Sequence, residues 1–210
     1  MPMIKYDEQK TVRALSLLPA KLRSAFAAAC AERLLPAYLA FSKQTGRGHP
    51  EWISSIADRL WQDLEGDEMS PEQVQEAARY CEQLVPGENQ EPWSSVQAYA
   101  DDAAAAMAYA LRCRQNGDEQ EAAWASRRAY EALDHFVISL NDDENGTVNE
   151  DRVLSHPLVQ TELMRQERDL EELAASPQDA MRSLIARIKL RARAESKDFF
   201  GKRLEIFGRE

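Results

Sequence analysis

The sequence predicts an all-α fold, a compact bundle of about seven or eight helices. Three observations lead there. Apolar residues recur at the 3.6-residue period along almost the whole chain. No stretch sustains the two-residue alternation with β-branched enrichment that marks strands. Proline, glycine and Ser/Asn/Asp clusters cut the pattern into pieces of helical length. With 210 residues the chain is long enough for one sizeable core.

Each element has its own local reason. Pro19 opens a helix whose face carries Leu22, Phe26, Ala29, Cys30 and Leu34; Pro36 should end or kink it, and Tyr38, Leu39 and Phe41 carry the stripe to a turn at Gly46 and Gly48. Pro50 opens the next, with Ile53, Ile56, Ala57, Leu60, Trp61 and Leu64 on one face before Gly66 and Asp67. Ser70 and Gln73 form a capping box ahead of Val74, Ala77, Ala78, Cys81, Leu84 and Val85, and Pro86-Gly87 stops that helix. The alanine-rich stretch from Pro92 to about Gln115 lets helix axes approach closely and is the candidate central helix. Asn116, Gly117 and Asp118 break it. A helix from Glu119 to about Leu140 and a polar loop, Asn141 to Asn149, follow. Another helix starts after Pro157, with Val159, Leu163, Leu170 and Leu173 in register. Ser176-Pro177 starts the last, where Met181, Leu184, Ile185, Ile188, Ala192 and Phe199 recur, and Gly201 and Gly208 weaken any continuation.

Charge divides this single fold unevenly. The net charge is -10, yet residues 181–210 carry nine Lys or Arg against four acids, leaving -15 on the first 180 residues. The chain therefore reads as an acidic helical body over 1–176 and a basic C-terminal helical extension over 177–210 packed on the same domain. Such an acidic field disfavours loose contact with nucleic acid or anionic lipid and would steer a basic partner in. The first ten residues show no apolar signal region, no run approaches the length of a membrane span, and the three cysteines sit singly in apolar helical patterns. A cytoplasmic protein with reduced core thiols is the expectation.

The sequence has no P-loop, no GxGxxG, no HExxH and no GxSxG. His49, His135 and His156 are scattered, and no Glu-x-x-His pair supports a bundle metal site. The candidate polar cluster is Cys30, Glu32, Arg33, Asp58, Trp61 and Asp102, with Asp101, Glu131 and Asp134 as further carboxylates on the middle helices. Glu32, Arg33 and Asp58 are read as a structural network, since buried charge is retained only when paired. Arg33, at i+3 from Cys30, is placed to stabilise a thiolate, though no histidine is near to serve as base. Trp52, Trp61 and Trp124 are read as packing residues. Trp93, beside Pro92, is the exposed anchor candidate, and Arg187, Arg191 and Arg193 are candidate interaction residues of the last helix.

Cys30-x-Glu32-Arg33, Pro36-x-Tyr38, Phe41, Thr45-Gly46-x-Gly48 and Asp58-x-x-Trp61 resemble the opening signature of the YjaG-like family, the bacterial domain-of-unknown-function family 416. Asp102-Ala103, Ala125-Ser126 and His156-Pro157-Leu158-Val159-Gln160 with Glu162 and Gln166 are similar to its later blocks. The resemblance covers roughly residues 12–175 and implies a small cytoplasmic all-helical protein with no established activity to carry over. Ser54 and Ser55 stand where the family tends to place arginine, and the basic segment beyond Ser176 lies past the usual family end. The leading expectation is a protein–protein interaction or regulatory module without catalysis or cofactor, compatible with a homodimer. The alternatives are a carboxylate-dependent, metal-assisted hydrolase using Glu32, Asp58 and Asp102, an immunity-like protein masking a basic partner, and a nucleic-acid binder using the basic C-terminal helix.

Overall fold

A computed structural model describes residues 3–84, 95–141 and 150–207. Nine α-helices lie among them: α1 (Glu8–Ser16), α2 (Ala20–Thr45), α3 (Pro50–Glu65), α4 (Pro71–Leu84), α5 (Ser95–Asn116), α6 (Glu119–Asn141), α7 (Glu150–Leu154), α8 (Pro157–Ala175) and α9 (Met181–Phe207). A 3-10 turn at Gln178–Ala180 leads into α9, and no strand occurs among the described residues. The fold is all-α. The Pro86-Gly87 stop, residues 142–149 of the polar loop and Gly208 lie outside the described residues.

Local chemistry sets most of the boundaries. Asp7 caps α1 by accepting from the Lys10 amide at 2.9 Å, a start the apolar pattern did not disclose because so short a helix has little face to repeat. In the capping box, Gln73 Oε1 accepts from the Ser70 amide at 2.9 Å, while Ser70 Oγ accepts from the Gln73 amide at 3.3 Å. Pro50 occupies the first turn of α3, and Gly66, at φ 115°, closes it in the left-handed region. The five-residue α7 was also not expected.

Two helix ends differ from the sequence expectation. Pro36 lies inside α2, which runs on to Thr45. An interior proline costs about 3 kcal/mol, and burial of Ala37, Tyr38 and Phe41 beyond it offsets that loss. Likewise Gly201 lies within α9, because a glycine's penalty of about 1 kcal/mol does not break a long, otherwise helical segment.

α2 is the axis of the bundle, touching α3, α5, α6, α8 and α9. Residues 24–34 of α2 are buried without interruption, around the whole circumference of the helix. The alanine-rich α5, expected at the centre, packs beside it with Ala100, Ala103, Ala104, Ala106, Met107 and Leu111 buried. Small side chains on both helices allow this close approach. α9 lies against α2, α3 and α8, burying Leu184, Ile185, Ile188 and Ala192.

Candidate functional site

Helical periodicity turns the neighbours Glu32 and Arg33 in different directions from α2. Arg33 points into the seam with α8 and α9. Its Nε and Nη2 donate to Glu162 Oε1 at 3.2 and 3.0 Å, and its Nη1 donates to Asp169 Oδ2 at 2.9 Å. Glu195 of α9 lies 3.6 Å from Nη1. The guanidinium is only 4% exposed. Burial by itself would lower its pKa, and the Glu162 and Asp169 carboxylates together more than reverse this, holding the group well above its ordinary value.

The network extends outward through α8 and α9. Arg191 bonds Asp169 and Glu172, Arg187 bonds Glu172, and Arg168 bonds Glu195. Gln166 Nε2 completes the inner end, donating to Glu162 Oε1 at 2.9 Å and to the Ser126 carbonyl at 3.0 Å. Glu162 and Gln166 stand in the family-like blocks but not in the candidate cluster, and Asp169 in neither, although all three recur in step with Val159, Leu163 and Leu173. Polar side chains in register with a core stripe are the signal that could have found them.

Glu32 faces α3 and the other flank of α9. Trp61 Nε1 donates to its Oε2 at 2.8 Å, and Arg193 Nε lies 3.4 Å from Oε1. Arg193 also bonds Asp58, which stands at the surface. Burial raises the Glu32 pKa, against the opposing effect of the Trp61 hydrogen bond. One arginine of α9 thus bridges both acidic candidates of this region. Asp102 belongs elsewhere: on α5 it meets Arg128 of α6 at 3.2 Å, and Arg128 in turn meets Glu131. The structure therefore brings Glu32, Asp58 and Trp61 together, sets Arg33 and Cys30 on the adjoining face, and leaves Asp102 in a separate cluster.

Cys30 Sγ accepts from Arg33 Nη2 at 3.4 Å, but burial pushes its thiol far up despite that positive neighbour. Burial likewise pushes Cys81 up to about 12 and Cys113 up to about 11. At all three, burial works against the thiolate that a nucleophile needs. His156 caps α8, its Nδ1 accepting from the Leu158 amide at 3.3 Å, while His49 and His135 stand at the surface. Among the described residues, no group of three His, Cys, Asp or Glu side chains is placed to hold a metal ion. No helix there is long and apolar enough to cross a membrane.

The aromatic expectation needs one correction. Trp61 is buried and Trp124 packs on Tyr109 at 5.5 Å, but Trp52 is 55% exposed. Its ring lies 5.2 Å from that of Tyr80, with His49 also beside Tyr80. Residue 52 lies in the first turn of α3, where its side chain falls off the stripe of Ile53, Ala57 and Leu60. Trp93 lies outside the described residues.

Residues 10–199 match the model of a family of proteins of unknown function, DUF416. The match includes most of α9, which the residue blocks alone had left outside the family. A comparison with curated proteins finds no match. Among solved structures, a DUF416 family protein from Shewanella baltica OS155 is similar, with a TM-score of 0.73 at 21% identity over 86% of this chain and 92% of that one. At that identity the likeness bears on the fold.

Proposed function

The chain belongs to the DUF416 family, and we propose that it is a protein–protein interaction module, without catalysis, whose docking face is centred on Trp52 and Tyr80 and takes a basic segment of a partner protein. One observation carries this reading: the Trp52–Tyr80 pair is a half-exposed aromatic contact on an acidic body. Trp and Tyr are the side chains that most often anchor interfaces. Slight burial and the Glu51 carboxylate push the Tyr80 phenol up, so an acid stands close to the pair. Glu76, exposed one turn before Tyr80 on α4, adds a second. A guanidinium or ammonium laid on these rings gains about 0.5–1 kcal/mol at an exposed site, and the net charge of -10 favours the approach of a cation to the molecule as a whole.

The other readings have less to draw on. Arg187, Arg191 and Arg193 of α9 are already engaged by Glu172, Asp169, Glu32 and Asp58, and the acids of a metal-assisted hydrolase are divided between two arginines.

The test is a titration with fluorescein-labelled nona-arginine, followed by anisotropy in wild type and Trp52→Ser. Binding should weaken about fivefold in Trp52→Ser, the equivalent of about 1 kcal/mol, and should weaken with salt in both chains. Equal affinity in the two chains would leave only diffuse charge attraction and refute the docking face.

A further inference from the structure

Residues 3–7, ahead of α1, are not helical, and they are held as a bound peptide would be. A single side-chain amide grips both main-chain groups of Ile4: its N–H donates to Gln160 Oε1 at 2.9 Å, and its carbonyl accepts from Gln160 Nε2 at 2.8 Å. Two residues on, the Tyr6 ring lies flat on Tyr130, with centroids 5.0 Å apart and planes within 4°. The Tyr6 hydroxyl donates to the Ala123 carbonyl at 3.1 Å, with Ser126 Oγ at 3.3 Å. Residues two apart on an extended chain share a side, so Ile4 and Tyr6 are both placed to face the cleft between α6 and α8, with Lys5 between them.

On its α8 side the segment borders open space. Beyond Ile4 an open cavity of about 550 Å³ is lined by Met3, Gln160, Met164, Glu167 and Arg168 among others. Met3 and Met164 are each 41% exposed there. Methionine is the side chain that best remoulds around varied apolar groups. Among the described residues, room next to Ile4 is left unfilled, and a longer or bulkier peptide would gain contacts in it that residues 3–6 do not make.

We propose that the cleft between α6 and α8 is a receptor for an extended segment of a partner protein with the pattern apolar–any–tyrosine, and that residues 4–6 are its resident occupant in cis. Gln160 reads the main chain, which every extended peptide presents, while Tyr130 with Ala123 and Ser126 selects a hydroxylated ring two positions later. Because the cis segment is tethered, it competes at an effective concentration of roughly millimolar. A partner peptide must exceed that competition, which makes the segment a threshold on binding.

The experiment uses a labelled peptide, acetyl-Met-Ile-Lys-Tyr-Asp-amide, against wild type and against Tyr6→Ala, with Ile4→Pro as a second way to loosen the cis segment. Far-UV circular dichroism checks that each variant folds. The peptide should bind Tyr6→Ala or Ile4→Pro at least tenfold more tightly than wild type. Methylating the peptide's isoleucine nitrogen, or replacing its tyrosine by alanine, should each weaken binding to the loosened chain about fivefold or more, with the protein itself unchanged. No binding to a folded loosened variant, or equal affinity for the three peptides, overturns the proposal. So does a wild type that is dimeric by light scattering and monomeric as Tyr6→Ala, since the trans occupant would then be a second copy of this chain.

Discussion

Replacing Arg33 by Met keeps most of the side-chain volume and removes the charge at the centre of the α2/α8/α9 seam. Its partners then fare unequally. Asp169 keeps Arg191, and Glu195 keeps Arg168, but Glu162, 3% exposed, keeps the neutral Gln166 amide in place of a guanidinium it shared two bonds with. Removing one member of a buried ion pair costs about 3–5 kcal/mol, because the other charge stays buried without compensation. For a chain of this size that corresponds to a fall in Tm of about 6–20 °C. Urea unfolding followed by circular dichroism should show the loss as a lower midpoint at unchanged slope. Adding Glu162→Gln to Arg33→Met should recover part of it, giving a coupling of about 0.5–3 kcal/mol between the two positions. A loss below about 1 kcal/mol in Arg33→Met, or strict additivity in the double variant, would refute the inference that the network depends on Arg33.

Three further outcomes follow from other parts of the fold. Burial, with the Asp102 charge beside it, pushes Asp101 up to about 7, and burial pushes Asp102 up to about 6 against Arg128. Raised folded-state values mean that their contribution to stability is present below the unfolded carboxylate range and lost as pH rises through about 6 to 7. Asp101→Asn should therefore be more stable than wild type at pH 8 and lose that advantage at acidic pH, and parallel urea midpoints across the range would refute it. Trp61→Phe leaves a Glu32 oxygen without its donor and should cost about 1–3 kcal/mol, whereas Glu32→Gln retains an acceptor and should cost less; the reverse order in thermal unfolding would contradict the assigned bond. A Cβ at Gly48, where φ is 78°, would stand 2.6 Å from Tyr38 Oη, whereas one at Gly46, φ 65°, meets nothing within 4 Å. Both alanine variants pay for the left-handed backbone, about 1 kcal/mol, so Gly48→Ala should melt clearly below Gly46→Ala, and equal Tm values would refute the steric part.

The candidate site was legible in its members and not in its wiring. Glu32, Arg33, Asp58 and Trp61 stand out as polar or bulky residues beside a core stripe, and the requirement that buried charge be paired points to a network. Nothing local names the partners. Arg33 meets Glu162 and Asp169 across sequence separations of 129 and 136 residues. Asp102 looked like a member of the same set and is not, because α5 turns it toward Arg128 on α6.

Sequence by itself determined the all-α class, the capping box at Ser70 and Gln73, the proline start of α3 and the glycine ends of α3 and α5. Each is decided by hydrogen bonds and steric limits within about four residues, so neighbours along the chain suffice. Only the tertiary structure decided that α2 is the axis, that Pro36 is carried inside it, and that Trp52 is exposed. The same holds for the docking of α9 through Arg187, Arg191 and Arg193 onto the acids of α2, α3 and α8. Those outcomes depend on which rotational face of each helix meets which neighbour. That choice is made by the burial of the whole core at once, and its energy outweighs the local preference at any single residue.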